Sequence, residues 1–400
     1  MSSVTEILLS PGEILYQQGD PNDCGFIVAS GEIILHTDLA GQRVDIERRG
    51  AGSIVGELSI LTGQPRTVTV EAVTDCQVFR VSADQILNRF EKLDPVLRAC
   101  VETSISFTGT FSEQANNKGS TVPFAPSTLR DADNLIEEFK FETDLIKAIE
   151  NKEFFLVYQP IVEIAGGGIV GFEALMRWIH PTRGFVPPDR FIASAEAMGT
   201  IGDLTNLALM EACAALARMK QQSGAPEGLY ASINISGEDI TRPNFTDFLT
   251  HVLDLNDLEP SDIKLEVTET ALIDDFETAD KNLNRLRGLG CGISVDDFGT
   301  GYSNLAYLKS LPLTTLKIDR AFAGDAHANP VSRGIVRLLL ALGKELGVDI
   351  IAEGLETVED VETLRDLGCH FAQGFFYHKP MPEQELNNLL SGKPPQRDAA

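Results

Sequence analysis

The chain has 400 residues, 43% apolar and 23% charged, which argues against a fibrous or intrinsically disordered protein and leaves room for two or three folded domains. Its 33 Lys and Arg stand against 59 Asp and Glu, a formal charge of −26, and that balance argues against a nucleic-acid polymer as partner, because phosphate binding rests on clustered basic residues. No run reaches the roughly 18 apolar residues of a membrane span, no signal-peptide pattern occupies Met1 to Ser10, and the six cysteines form no Cys-x-x-Cys pair. The expectation is a cytoplasmic protein with reduced thiols and no membrane partner.

From Ile7 to about Val81 short apolar runs alternate with turn signals such as Pro11-Gly12, Gly19-Asp20-Pro21-Asn22 and Gly50-Ala51-Gly52. Alternating runs such as Gly25 to Leu35 and Thr67 to Phe79 read as strands of an all-β jelly roll. Ser82 to Thr103 then turns helical, with Ile86, Leu87, Phe90, Leu93, Leu97 and Val101 at three-to-four spacing. A first domain over 1–105 follows, a jelly roll with a C-terminal helix. Residues 106–133 form a linker: between 106 and 128 only Glu113 and Lys118 are charged and little is apolar. From Asp131 an amphipathic helix carries Leu135, Phe139, Ile146 and Ile149 on one face. It either begins the second domain or docks on the first.

The second domain spans 134–393, and 394–400 is expected to be a disordered tail. Eight strand-like runs cross it: Phe154 to Pro160, Ile169 to Leu175, Leu229 to Ser236, Ile263 to Glu269, Ile293 to Phe298, Thr315 to Asp319, Asp349 to Glu353 and Phe371 to Tyr377. Most are spaced to admit a helix between neighbours, the rhythm of a (β/α)8 barrel of the TIM type. Only the turn around Gly166-Gly167-Gly168 separates the first two, too little for a parallel crossover, so one strand of the barrel is expected to be antiparallel.

Chemistry in such barrels gathers where the strands end. The polar residues there are Gln159, Glu173, Asn234, Glu266, Glu269, Asp296, Asp297, Lys317, Asp319, Glu353 and Gln373. A single acid at a strand end is most simply a helix cap or a solvated rim group, and Asp296-Asp297 alone would be a turn. The recurrence at every run is what points to a site. Glu173, Glu266, Asp296, Asp297, Asp319 and Glu353 with Lys317 sum to −5, a crowding that calls for cations. Oxygen ligands suit two hard divalent ions, Mg2+ or Mn2+, and the six histidines show no ligand spacing. Paired hard cations serve the hydrolysis of phosphate esters.

These residues resemble the EAL family of cyclic di-GMP phosphodiesterases: Glu173-Ala174-Leu175-Met176-Arg177-Trp178, Asn234-Ile235-Ser236, Glu266-Val267-Thr268-Glu269, the run from Asp296 to Leu305, Lys317-Ile318-Asp319, Ala352-Glu353-Gly354 and Gln373-Gly374-Phe375. The resemblance implies that Glu173, Asn234, Glu266 and Asp296 hold one metal, with Asp296 bridging to a second held by Asp297 and Glu353. It implies that Lys317 and Glu353 orient or deprotonate water, and that Gln159, Arg177, Asp319 and Gln373 contact substrate. Glu269 would anchor the loop from Asp297 to Leu305, and a homodimer would form. The implied reaction opens cyclic di-GMP to linear pGpG.

The first domain resembles the cyclic-nucleotide-binding domain, with a phosphate cassette from Gly56-Glu57-Leu58 to Arg66-Thr67. Arg66 can pair with a cyclic phosphate, backbone N–H groups around Gly56, Leu58 and Thr67 can add bonds, and Glu57 can accept from the ribose 2′-hydroxyl. Val68 stands where that family usually has alanine, and Thr67 suits cAMP or cGMP, with cAMP favoured here. The expectation is a phosphodiesterase activated by cAMP. Two other readings stay open: a cyclic di-GMP receptor without hydrolysis, and an active enzyme whose first domain is only a dimerisation scaffold.

Overall fold

The computed structural model describes residues 5–39, 41–91, 93, 98, 101, 105, 132–222, 224–268, 276–299 and 310–392. Most of the expected linker, the expected tail and Glu269 therefore lie outside the described residues. The chain divides into two compact units, Met1–Asn151 with Phe191–Gly199, and Lys152–Arg190 with Thr200–Ala400.

The first unit is built on eight strands: β1 (Thr5–Leu9), β2 (Ile14–Tyr16), β3 (Cys24–Ser30), β4 (Glu32–Leu39), β5 (Gln42–Gly50), β6 (Ile54–Val55), β7 (Thr69–Ala72) and β8 (Cys76–Ser82). They form two antiparallel sheets, ordered β1-β8-β3-β6 and β2-β7-β4-β5. Tyr16, Phe26, Val28, Ile33, Leu35, Val70 and Val78 share one buried cluster. The expected run from Gly25 to Leu35 is in fact two strands in different sheets, divided at Gly31. That residue has φ +90°, and a Cβ there would collide with Asp75 and Cys76, so only glycine lets the chain cross between sheets. Thr67 to Phe79 divides in the same way, into β7 and β8.

The helix Ala132–Asn151 docks on this first unit. Ile136 and Phe139 share a buried cluster with Ile27, Phe79 and Val81. Burial is on two sides of this helix: Ile136 and Phe139 on one, Phe141, Leu145 and Ala148 on the other, while Ile146 and Ile149 of the expected face are half-buried. Glu142, on the expected face, is also buried and accepts from Gln85 and Arg89 on the helix Ala83–Glu91.

The second unit contains a closed barrel of eight strands: β9 (Phe154–Glu163), β10 (Ile169–His180), β12 (Tyr230–Asn234), β13 (Ile263–Thr268), β14 (Gly292–Phe298), β15 (Thr315–Ile318), β16 (Asp349–Ala352) and β17 (Phe371–Ala372); the short β11 (Gly184–Val186) pairs with the end of β10. Neighbours from β10 round to β17 pair in parallel, and β9 closes the ring antiparallel to both β10 and β17. The helices Ile201–Lys220, Phe245–Asn256, Phe276–Leu289, Pro330–Leu346 and Val358–Asp366 follow strands along the chain. The last strand is shorter than its apolar run, and beyond it Gly374 lies against the backbone of Leu355, where a Cβ would collide with the Leu355 N and O atoms. Among the described residues no helix is long and apolar enough to cross a membrane.

Candidate active site at the barrel mouth

Side chains alternate along a strand, so the barrel strands sort their residues into two faces. Ala231, Ile233, Leu265, Val267, Ile293, Val295, Leu316 and Ile318 are almost fully buried in the apolar cluster. Ser232, Asn234, Lys264, Glu266, Ser294, Asp296, Thr315 and Lys317 occupy the intervening positions. Along β12, β14 and β15 these positions climb from a hydroxylated residue to a charged or amide one at the end, while β13 carries Lys264 below Glu266.

Lys317 is the centre of the arrangement. Its side chain is 1% exposed, and Nζ lies 2.6 Å from Glu353, 2.7 Å from Glu266, 3.1 Å from Asp296 and 3.3 Å from Glu173. Around this cation the oxygens form two groups, Glu173 with Glu266 and Asp296, and Asp296 with Asp297 and Glu353, each with its atoms within 4.8 Å of one another. Asp296 belongs to both. Consecutive strand residues normally point to opposite faces; here Asp297 has φ 52°, and the β14–β15 register slips between Val295 and Phe298. That left-handed, bulged step re-aims Asp297 toward the side that Asp296 already faces.

The electrostatics follow from four acids around one base. Burial alone would discharge Lys317, yet Glu173, Glu266, Glu353 and Asp296 hold its pKa well above the usual lysine value. For Glu173 burial works upward, but Lys317 and the bonds from Gln373 and Asn234 outweigh it and the pKa is lowered. Burial raises Glu266 well above the ordinary value, reinforced by Glu173 and Asp296. Burial, with Asp296 and Glu173, pushes Glu353 up to about 8, and burial with Asp296 and Asp319 pushes Asp297 up to about 6. Carboxyls driven to hold protons in this way are a donor set that hard divalent cations fit, since a cation supplies the positive charge the protons otherwise bring.

The remaining expected residues are placed as follows. Asn234 Nδ2 donates to Glu173 Oε1 at 2.7 Å. Gln373 Nε2 donates to Glu173 Oε2 at 2.8 Å and to Gln159 Oε1 at 3.0 Å, so both glutamines, expected to meet substrate, also brace Glu173. Arg177 lies two positions past Leu175 on the Glu173 face of β10 and is half-buried. Asp319 caps the helix Arg320–Ala323 through Ala321 N at 2.9 Å. Ser232 escapes a reading of strand ends, being one layer lower; its Oγ donates to Glu266 Oε1. Period-two alternation from Asn234 was the signal that could have found it.

In the first unit Gly56 has φ +86°, and a Cβ there would strike the Arg66 guanidinium. Arg66 is 3% exposed. Its Nη1 donates to Gly56 O at 2.9 Å, its Nη2 to Cys24 O, and the guanidinium lies 4.5 Å from the centre of the Tyr16 ring. Its Nε is buried with no acceptor among the described residues. Burial raises the Glu57 pKa, and Arg49 Nη1 lies 3.6 Å from Glu57 Oε1; Arg49, on β5, was not foreseen. Leu58 and Thr67 are exposed, and Val68 packs against the jelly-roll core.

Sequence models of two domains match this chain: the EAL domain over residues 142–380 and the cyclic nucleotide-binding domain over 6–92. A solved structure described as the EAL enzyme Bd1971 in its cAMP-bound form is 30% identical, covers 96% of this chain and 100% of that one, and superposes with a TM-score of 0.63. Among curated proteins, the cyclic di-GMP phosphodiesterases NbdA and PA2567 of Pseudomonas aeruginosa are each 38% identical, over 64% and 63% of this chain. The chain spans 32% and 43% of the lengths of those two relatives. With the EAL match extending over more than half of its residues, the chain belongs to the EAL domain family.

Proposed function

We propose that the protein hydrolyses cyclic di-GMP to linear pGpG and that cAMP, bound by the jelly roll, regulates this activity. The observation that carries the first part is the pair of carboxylate groups joined through Asp296 around Lys317. Similarity to proteins described as cyclic di-GMP phosphodiesterases supports the substrate, as does a structure of Bd1971 described as holding both cAMP and cyclic di-GMP.

In this reading Glu173, Asn234, Glu266 and Asp296 hold one divalent cation, and Asp296, Asp297 and Glu353 a second, with Mg2+ or Mn2+ favoured by the all-oxygen donors. Bound cations of this kind lower the pKa of water and offset charge developing on a phosphate. The chain's own groups do the rest. Lys317 and Glu353, 2.6 Å apart, orient the attacking water, and Glu353 accepts its proton. Gln159, Arg177, Asp319 and Gln373 hold the dinucleotide so that the P–O3′ bond opposite the water breaks, leaving a 5′-phosphate and a 3′-hydroxyl. A homodimer is part of the same reading.

In the jelly roll the unpartnered Arg66 Nε–H is the donor a cyclic phosphate takes, and Glu57, steadied by Arg49, accepts from the ribose. Bd1971 structures described as cAMP-bound and cGMP-bound support a cyclic nucleotide as ligand, and cAMP is the one proposed, as activator. Arg66→Ala is expected to remove the change in turnover on adding cAMP, measured as linear product with and without the nucleotide. An unchanged response in that variant would rule out this pocket.

A further inference from the structure

Two strand ends that carry proposed metal ligands lead into the same local motif. Beyond Asn234 the chain reads Ser236-Gly237-Glu238-Asp239, and beyond Glu353 it reads Thr357-Val358-Glu359-Asp360. Both are capping boxes. Asp239 N donates to Ser236 Oγ and Asp360 N to Thr357 Oγ1, each at 3.2 Å. In return Asp239 Oδ2 accepts from Ser236 N at 3.0 Å, and Asp360 Oδ2 from Thr357 N at 2.9 Å and Glu356 N at 3.1 Å.

A capping box needs no buried acid, yet Asp239 is 0% and Asp360 2% exposed. Buried carboxylates require further partners, and each takes one from a different segment. Thr205 Oγ1, on the helix Ile201–Lys220, donates to Asp239 Oδ2 at 2.7 Å, and Arg242 lies 3.5 Å from Oδ1. His327 Nδ1 lies 2.8 Å from Asp360 Oδ1. His327 sits between the helix that Asp319 caps and the helix Pro330–Leu346, so it ties the chain beyond Lys317 to the chain beyond Glu353.

We infer that Thr205 and His327 are positioning residues that brace the two metal positions separately. Thr205 acts through Asp239 on Asn234 and the Glu173–Glu266–Asp296 group. His327 acts through Asp360 on Glu353 and the Asp296–Asp297–Glu353 group. The two boxes share no residue, so each bears first on its own strand end, Asn234 or Glu353, while Asp296 stays common to both positions. This inference rests on the two-cation reading above.

The test is Mn2+ alone titrated into the full chain, with bound ion followed by electron paramagnetic resonance. Thr205→Val, close in shape but without the hydroxyl, weakens one Mn2+ position by up to about tenfold, the floor for partners bonded directly to a metal ligand, since Thr205 reaches Asn234 only through Asp239. His327→Ala weakens the other by a similar factor, and Thr205→Ser and His327→Asn, which keep a donor, recover most of the loss. Two variants that weaken the same position, or leave both unchanged while the parent binds two Mn2+, overturn the inference and spare the metal reading. A parent chain that binds no Mn2+ overturns both.

Discussion

Turnover of cyclic di-GMP falls by about 10²- to 10⁴-fold in Lys317→Met, the range that a positioned proton-handling group contributes. The side chain is nearly isosteric, so packing survives while the charge is lost. Four carboxylates within 3.3 Å of Nζ then face one another without a cation. The effect on stability depends on pH. Lys317 has a raised folded pKa, so its contribution is fully present below the ordinary lysine value and absent from the variant at any such pH. Glu266 and Glu353 have raised folded pKa values, Glu353 about 8, so ionising them costs stability as pH rises from the ordinary glutamate range through about 8. Glu173, held low by Lys317, joins them once that partner is gone. With chelator present, the gap in Tm between parent and variant therefore widens from pH 5 to pH 8.5 in scanning calorimetry. A variant with parental turnover, or with a gap that narrows over that range, contradicts the account.

The second large effect is expected far along the chain from the chemistry. Glu142→Gln keeps cAMP binding and basal turnover but loses the response of turnover to cAMP, an effect of about 5- to 150-fold if the coupling is of ordinary size. Glu142 is 5% exposed and accepts from Gln85 Nε2 at 3.2 Å and from Arg89, both on the helix that ends the jelly roll. Arg89 also lies 4.7 Å from the centre of the Phe139 ring. The helix bearing Glu142 and Phe139 runs directly on, through Lys152 and Glu153, into β9, so two residues join it to the barrel. An amide keeps the volume and the Gln85 bond but discards the charge that Arg89 holds. Paired titrations of turnover and of fluorescent cAMP binding check this; a full response in the variant would assign the coupling elsewhere.

The barrel was legible because its strand runs are bounded by acids and amides at one end, and because a glycine turn too short for a crossover forces β9 to run backwards. The polar positions at the barrel mouth were legible for the same reason: Asn234, Glu266, Asp296 and Lys317 lie at or next to the end of an apolar run. What escaped was set by long-range pairing. Nothing near Ser232 in the chain announces Glu266, 34 residues away, and nothing near Gln159 announces that Gln373 joins it to Glu173. The run from Gly25 to Leu35 read as one strand because alternation continues across Gly31, whose backbone sign no composition displays. The helix Ala132–Asn151 was ambiguous because a buried Glu142 looks like a solvated position until Gln85 and Arg89 are placed beside it.

The most direct measurement incubates the purified chain with cyclic di-GMP and Mg2+ or Mn2+, with and without cAMP, and quantifies linear pGpG by chromatography. The account predicts product that depends on the divalent cation and increases with cAMP. No product with either cation would contradict it and leave a binding protein in place of an enzyme.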